Sequence, residues 1–234
     1  MIKKAMILAA GFGRRLHPLT LEKPKPLLKI GNETLLSNTL RFLEKSEIDE
    51  VVINVHYLGN KIINYVKEKR FNLKINIVEE KDKIYDTGGG ILNTIQYFSD
   101  EPFIAINPDT VWNIKYLEEL KLLKEIFFSE KKSKCALLVV NKEKSFDKSF
   151  KGDFNLKKNL INRDTKNDLN YIYTGLQIIE PKNFCNLKSK VFSINKIWDD
   201  LISKDELNGF ESKINFLHVS TLDIYNKLLK KIKH

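Results

Sequence analysis

From Lys3 to Asp109 the chain alternates short apolar runs with amphipathic stretches, and this alternation leaves few folds open. The apolar runs are KKAMILAA (3–10), EVVINV (50–55), LKINIVEE (73–80) and PFIAINPD (102–109). Runs of this length, bounded by glycine or turn residues, read as buried strands. Between them, TLLSNTLRFLEKSE (34–47) sets Leu35, Leu36, Leu40 and Leu43 at helical spacing, with Asn32 or Thr34 near its start as a cap. GNKIINYVKEK (59–69) and GGGILNTIQYF (88–98) read as further helices. Strands separated by helices make βαβ units, and these build a mainly parallel sheet covered by helices on both faces.

Beyond Asp109 the same elements continue less regularly. VWNIKYLEELKLLKEIFF (111–128) reads as a long amphipathic helix and KCALLVV (134–140) as a strand. Residues 142–170 are polar, with only short apolar pieces. NYIYTGLQIIE (170–180) is a strand with turn chemistry inside it, FSINKIWDDLIS (192–203) a helix and INFLHVS (214–220) a strand. TLDIYNKLLKKIKH (221–234) is a closing helix with Thr221 as its N-cap. No repeat or low-complexity linker divides the chain. The expectation is one α/β domain over residues 1–234, with a mixed central sheet and residues 142–190 as an inserted, substrate-covering lobe.

Composition excludes several classes. With 42% hydrophobic residues, the 234-residue chain can bury a full core. Its apolar runs are too short to span a bilayer. The start carries two lysines but no processing site, so no signal peptide is expected. Cys135 and Cys185 stand alone, without metal spacing, which fits reduced thiols and a cytoplasmic protein. The formal charge of +10, from 40 Lys and Arg against 30 Asp and Glu, is spread along the chain. Without a nucleic-acid motif, it argues for neither nucleic acid nor membrane as a partner.

The loop expected after the first strand, GFGRRLHPLTLEKPKPL (11–27), carries the strongest chemical signal. It starts like the dinucleotide fingerprint G-x-G-x-x-G, but Leu16 occupies the third glycine position. Pro18, Pro24 and Pro26 forbid the helix that this fingerprint opens. The P-loop spacing is absent as well. What remains is a long, proline-stiffened loop at the carboxyl end of a strand, where open α/β sheets bind ligands. Its glycines let amides approach an anion, and Arg14, Arg15 and Lys25 add cations. Phosphoryl transfer asks for such positioning and charge neutralisation.

LAAGFGRRLHPLTLEKPKPLLKI (8–30) resembles the G-x-G-x-R-L-x-P-L-T…P-K-P-L motif of sugar-1-phosphate nucleotidyltransferases. DTGGGI (86–91), INPDT (106–110), KGDF (151–154) and YTGL (173–176) follow in that family's order. The resemblance runs from Ala5 to about Leu229. In its short length the chain looks most like the N-acetylmuramate-1-phosphate uridylyltransferases, with the small mannose- and heptose-1-phosphate guanylyltransferases close behind. The resemblance implies a Rossmann-like nucleotidyltransferase fold. It also implies a reaction in which a nucleoside triphosphate and a sugar 1-phosphate give a nucleotide sugar and pyrophosphate, with Mg2+ as cofactor.

By the same resemblance, Leu8, Ala9, Ala10 and Gly11 form the nucleoside-side wall, and Gly11 and Gly13 let the loop wrap the triphosphate. Arg15 clamps the β and γ phosphates, Lys25 neutralises the α-phosphate, and Thr87 and Gly88 touch base and ribose. Arg14 falls at a variable position, with solvent exposure expected. Asp109 holds the metal. Gly152, Asp153, Thr174 and Gly175 match positions that face the sugar, with a β-bulge as the other reading of the glycines. Apart from the resemblance, the basic Lys151, Arg163 and Lys196 are candidates for the sugar's phosphate, although a solvated surface explains them better. No general base is asked for, so His17 and His56 are expected to be ordinary loop or surface residues.

Two departures stand out. Pro108 replaces a glycine of the metal loop. His218 stands where the family has its second metal-binding aspartate, and Ser220 where it has a glycine. The metal is then held by Asp109 and the triphosphate alone, or His218 ligates and favours Mn2+ or another softer ion, or the chain is a weakened, nucleotide-binding regulatory protein. A further alternative is CTP-dependent transfer to a non-sugar phosphate such as phosphocholine. Base, sugar and oligomeric state stay open.

Overall fold

The computed structural model describes residues 1–164, 168–185, 187 and 189–233. The elements in chain order are β1 (Lys4–Leu8), α1 (Leu19–Glu22), β2 (Lys29–Ile30), β3 (Glu33–Thr34), α2 (Leu35–Lys45), β4 (Glu50–Val55), α3 (Gly59–Glu68) and β5 (Lys74–Glu79). They continue with α4 (Asp86–Thr94), β6 (Phe103–Ile106), α5 (Tyr116–Ser129), β7 (Cys135–Asn141), β8 (Asn155–Lys157) and β9 (Leu160–Asn162). The chain closes with β10 (Tyr171–Ile179), α6 (Asn195–Ser203), β11 (Leu207–Ser212) and α7 (Leu222–Lys233).

Nine strands form one sheet in the order β5-β4-β1-β6-β10-β7-β11-β9-β8. β5, β4, β1 and β6 run parallel. β10 enters antiparallel between β6 and β7, and β11 runs parallel to β7. The alternation of side chains along each strand splits the core in two. Ala5, Ile7, Val51, Ile53, Ile104 and Ile106 pack with Leu36, Leu40 and Leu43 of α2 and Leu120 and Leu123 of α5. Met6, Val52, Phe103 and Ala105 point the other way, onto Ile91 of α4 and Trp198 and Leu201 of α6. Thr34 caps α2 by accepting a hydrogen bond from Ser37 N at 3.0 Å.

The architecture is the expected single α/β domain with a mixed sheet covered on both faces. Some elements differ from the sequence reading. β10 falls inside the segment expected as a covering lobe, yet it is a central strand. The rest of that segment contributes β8 and β9 at the sheet edge, and its residues 165–167, 186 and 188 lie outside those described, as does His234 of the closing tail. The last sheet strand is β11, not 214–220. Residues 214–220 are held by isolated bridges, Phe216 to Ser145 and His218 to Thr110. Among the described residues no helix is long and apolar enough to cross a membrane.

Candidate active site

β4 lies on one side of β1 and β6 on the other, so the winding reverses between β1 and β6. A crevice opens beyond the carboxyl ends of strands at such a point. Here it is a cavity of about 370 Å³. Three segments wall it: the loop after β1, the start of α4 and residues 107–109 after β6. Asn54 and Ser220 complete the lining.

The loop after β1 holds its shape by short local bonds. It folds into two 3-10 turns, Arg14–Leu16 and Lys25–Leu27, flanking the four-residue α1. Gly13 sits at φ +65°, where a Cβ would come within 3.2 Å of the Lys25 Cβ. Glycine there satisfies both the left-handed backbone and the close approach of the lysine. Thr20 Oγ1 donates to Gly13 O at 2.9 Å and closes the loop. A Cβ on Gly11 would meet nothing within 4 Å, so the loop leaves open space there. Arg14 and Arg15 both line the cavity, are exposed, and form no ion pair among the described residues. The Arg14 guanidinium is exposed, as expected, and lies 4.7 Å over the Phe12 ring.

From the end of this loop, Lys25 Nζ reaches to within 2.5 Å of Asp109 Oδ2, and His218 Nε2 lies 3.1 Å from the same oxygen. These side chains are 14% to 20% exposed. Burial works to raise the Asp109 pKa, but the charges and hydrogen bonds of Lys25 and His218 outweigh it and hold the carboxyl well below the ordinary range. Asp109 is therefore a carboxylate. Its second oxygen, Oδ1, is buried with no hydrogen-bond partner among the described residues, and the same is true of His218 Nδ1. An anionic oxygen left bare in this way suits a hard cation. No group of three His, Cys, Asp or Glu side chains among the described residues could hold a metal. A cation here would complete its shell with phosphate oxygens and water, as Mg2+ commonly does.

A second network supports the other end of the cavity. Asn54 Oδ1 accepts from Ala9 N at 2.9 Å, and its Nδ2 donates to Glu80 Oε1 at 2.7 Å. Glu80 Oε2 accepts from Tyr85 N at 2.9 Å. Both side chains are at most 2% exposed. Gly90 makes room for them, since a Cβ there would lie 2.7 Å from Asn54 Nδ2. The pair joins the loop after β1 to the segment leading into α4. The sequence reading missed both residues, because neither lies in a recognisable motif.

Residues 4–150 match the nucleotidyl transferase family. The chain belongs to that family. It is 26% identical over 222 residues to the N-acetylmuramate alpha-1-phosphate uridylyltransferase of Caulobacter vibrioides, across 93% of this chain and 91% of that protein. It is 27% identical over 221 residues to the mannose-1-phosphate guanylyltransferase catalytic subunit beta of Danio rerio, across 88% of this chain and 59% of that longer protein. Among solved structures, HddC from Yersinia pseudotuberculosis, complexed with GMP-PN, aligns at a TM-score of 0.76 and 22% identity, over 98% of this chain and 99% of that one. A putative glucose-1-phosphate thymidylyltransferase from Bacillus anthracis aligns at 0.81 and 18% identity, over 98% and 95%. At these identities the solved structures show a shared fold.

Against this frame of a nucleotidyltransferase, the expected site residues separate into two groups. Leu8, Ala9, Ala10, Gly11, Gly13, Arg15, Lys25, Thr87 and Asp109 line one cavity, with His218 against Asp109. Gly88 does not line it, and a Cβ there would come within 2.4 Å of the Phe192 ring, so its contact is packing. Thr87 reaches the cavity while its Oγ1 accepts from Ile194 N at 2.9 Å.

The four residues expected to face the sugar are also outside this cavity, and their visible roles are structural. Thr174 is 1% exposed, its hydroxyl donates to Leu138 O at 2.8 Å, and its carbonyl accepts from Thr110 Oγ1 at 2.6 Å. Gly175, at φ +93°, sits in a β-bulge and accepts from Asn107 N at 2.7 Å. Together they anchor the loop that carries Asp109. Gly152, at φ +98°, approaches Leu169 so closely that a Cβ would lie 2.2 Å from its carbonyl. Asp153 Oδ2 accepts from Tyr173 N at 2.9 Å. Arg163 is committed to Asp199 and Asn195 and lies over the Phe154 ring, so it is not a free cation for a sugar phosphate.

Proposed function

We propose that this chain transfers a nucleoside monophosphate from a nucleoside triphosphate to a sugar 1-phosphate, releasing pyrophosphate. The observation that carries this reading is the 2.5 Å pair of Lys25 and Asp109, set beyond the carboxyl ends of β1 and β6 and sharing its cavity with two arginines that have no ion-pair partner among the described residues. A sugar phosphate is already ionised at neutral pH, so its oxygen can attack the α-phosphorus directly. The protein's work is to hold two anions together and to stabilise charge on the leaving group.

Arg15 is placed to take the β and γ phosphates through its planar guanidinium. Lys25 supplies charge beside the α-phosphate. Without substrate, Lys25 and Asp109 neutralise each other, and an arriving triphosphate competes for the ammonium. Asp109 would hold the divalent cation through Oδ1, the oxygen that lacks a partner. When bound, that cation would draw charge from the phosphate oxygens. His218 Nε2 engages the other oxygen and fixes the carboxylate's orientation.

For the substrates, we favour UTP with N-acetylmuramate 1-phosphate, since the uridylyltransferase relative matches this chain over nearly the full length of both. GTP with mannose or heptose 1-phosphate is the second choice. The test is pyrophosphate release across UTP, GTP, CTP and dTTP, each paired with N-acetylmuramate, mannose, heptose and glucose 1-phosphates. Release is expected with one base and one sugar strongly preferred. Triphosphate binding without release in every pairing would overturn the enzyme reading.

A further inference from the structure

Behind the cavity lies a carboxylate that has no part in the roles described so far. Asp147, on the loop after β7, is 5% exposed. Its Oδ1 accepts from Ser149 N at 3.0 Å and Ser149 Oγ at 2.6 Å. Its Oδ2 accepts a short hydrogen bond from Ser220 Oγ. Three donors thus converge on its two oxygens, the arrangement that a carboxylate accepts.

Ser220 is 2% exposed yet lines the cavity. Its proton is committed to Asp147, so toward the cavity its oxygen can only accept. Bonding to a carboxylate also increases the negative charge on that oxygen. The neighbouring residue ties Ser220 to the metal loop, because Val219 N donates to Asp109 O at 2.9 Å. Ser220 and Asp109 thus line the same cavity, and each carries an oxygen with no proton to offer, Ser220 Oγ and the buried Asp109 Oδ1, which has no partner among the described residues.

We propose that Ser220 is the second protein oxygen donor to the divalent cation, beside Asp109, and that Asp147 supplies its negative charge from behind. The inference rests on the cation-assisted transfer read above. A serine or threonine hydroxyl paired with an aspartate is a known way for other phosphate-handling proteins to hold Mg2+. An oxygen at this place suits magnesium better than an imidazole does. It explains how the chain can carry histidine at 218 and keep a hard-cation site. His218 then serves as a positioning residue that occupies Asp109 Oδ2 and leaves Oδ1 free.

The test uses Mn2+ titrated into the full chain with tripolyphosphate present, following the bound ion by electron paramagnetic resonance. Ser220→Ala and Asp147→Asn should each weaken Mn2+ binding about tenfold or more, the usual effect of removing a metal's supporting partner. The double variant should be no weaker than the worse single one, because the two residues act as one unit. Ser220→Thr should retain binding, and it keeps the test valid if the alanine variant folds poorly. Unchanged Mn2+ affinity in a folded Ser220→Ala protein would overturn the proposal. So would strictly additive losses, or no bound Mn2+ in the wild type. If the Mn2+ pattern holds but no substrate pair releases pyrophosphate, the transfer reading fails and the site stands. If turnover is present and Ser220→Ala binds Mn2+ normally, the site fails and the transfer reading stands.

Discussion

The loop after β1 and the corner around Asp109 face each other across one cavity, but they are built in opposite ways. The loop presents Arg14 and Arg15 to solvent without ion-pair partners among the described residues, on a backbone opened by Gly11 and Gly13. The corner ties Asp109 to Lys25 and His218, and Asp147 to Ser149 and Ser220, with Asp147 and Ser220 buried and Asp109, Lys25 and His218 partly so. A surface meant to receive and release an anion keeps its cations unspent. A surface meant to orient charge during a reaction fixes its groups beforehand, because preorganised dipoles cost nothing when the transition state forms. On the function proposed above, this difference gives binding to the loop and chemistry to the corner.

If this division holds, the largest effect comes where loop and corner meet. Lys25→Ala should lower kcat/KM for pyrophosphate release by about 10²–10³-fold, the usual loss when one preorganised charge donor is removed. Lys25→Arg should not restore it, since a forked guanidinium does not replace a point charge 2.5 Å from a carboxylate. Steady-state kinetics at saturating triphosphate read the effect.

The next effect falls on folding. Asn54→Ala leaves Ala9 N and Glu80 Oε1 without their buried partner, which should cost about 1–3 kcal/mol per unsatisfied group in chemical denaturation. A loss confined to triphosphate KM, with stability unchanged, would show that the network is looser than described.

Arg15→Ala tests the loop alone. It should raise KM for the triphosphate about tenfold while moving kcat less, the signature of lost ground-state binding. A fall in kcat alone would erase the distinction between loop and corner. The smallest effect concerns the thiols. Cys185 is exposed, whereas Cys135 is fully buried and its burial pushes the thiol pKa well up. A disulfide reagent should titrate Cys185 quickly in the native chain and Cys135 only after unfolding.

The two regions also differ in how readable they are. Gly13, Arg15 and Lys25 lie within thirteen positions of one another, and prolines rule out the helix that would have hidden their purpose. Local chemistry was enough there. Asp147 and Ser220 are 73 residues apart, and nothing near either marks the other. Asn54 and Glu80 meet only because β4 and β5 pair in register. β11 went unread because LNGFES is short, polar and contains glycine, and its pairing with β7 supplies what its composition lacks. The apolar INFLHVS attracted the strand assignment instead, although its residues are spent on isolated bridges around the site. Gly88 and Thr174 look like ligand contacts by motif, and the contacts visible for them here are packing against Phe192 and a bond to Leu138.

The central claim is that one preorganised cavity brings two anions together and needs no protein nucleophile. Rapid mixing tests it most directly, with pyrophosphate followed after the enzyme meets its preferred triphosphate, first alone and then with the sugar 1-phosphate. No pyrophosphate is expected from the triphosphate alone, and one equivalent per nucleotide sugar once the second substrate is added. A burst of pyrophosphate before any sugar phosphate is present would mean a nucleotidyl-enzyme intermediate and would contradict it.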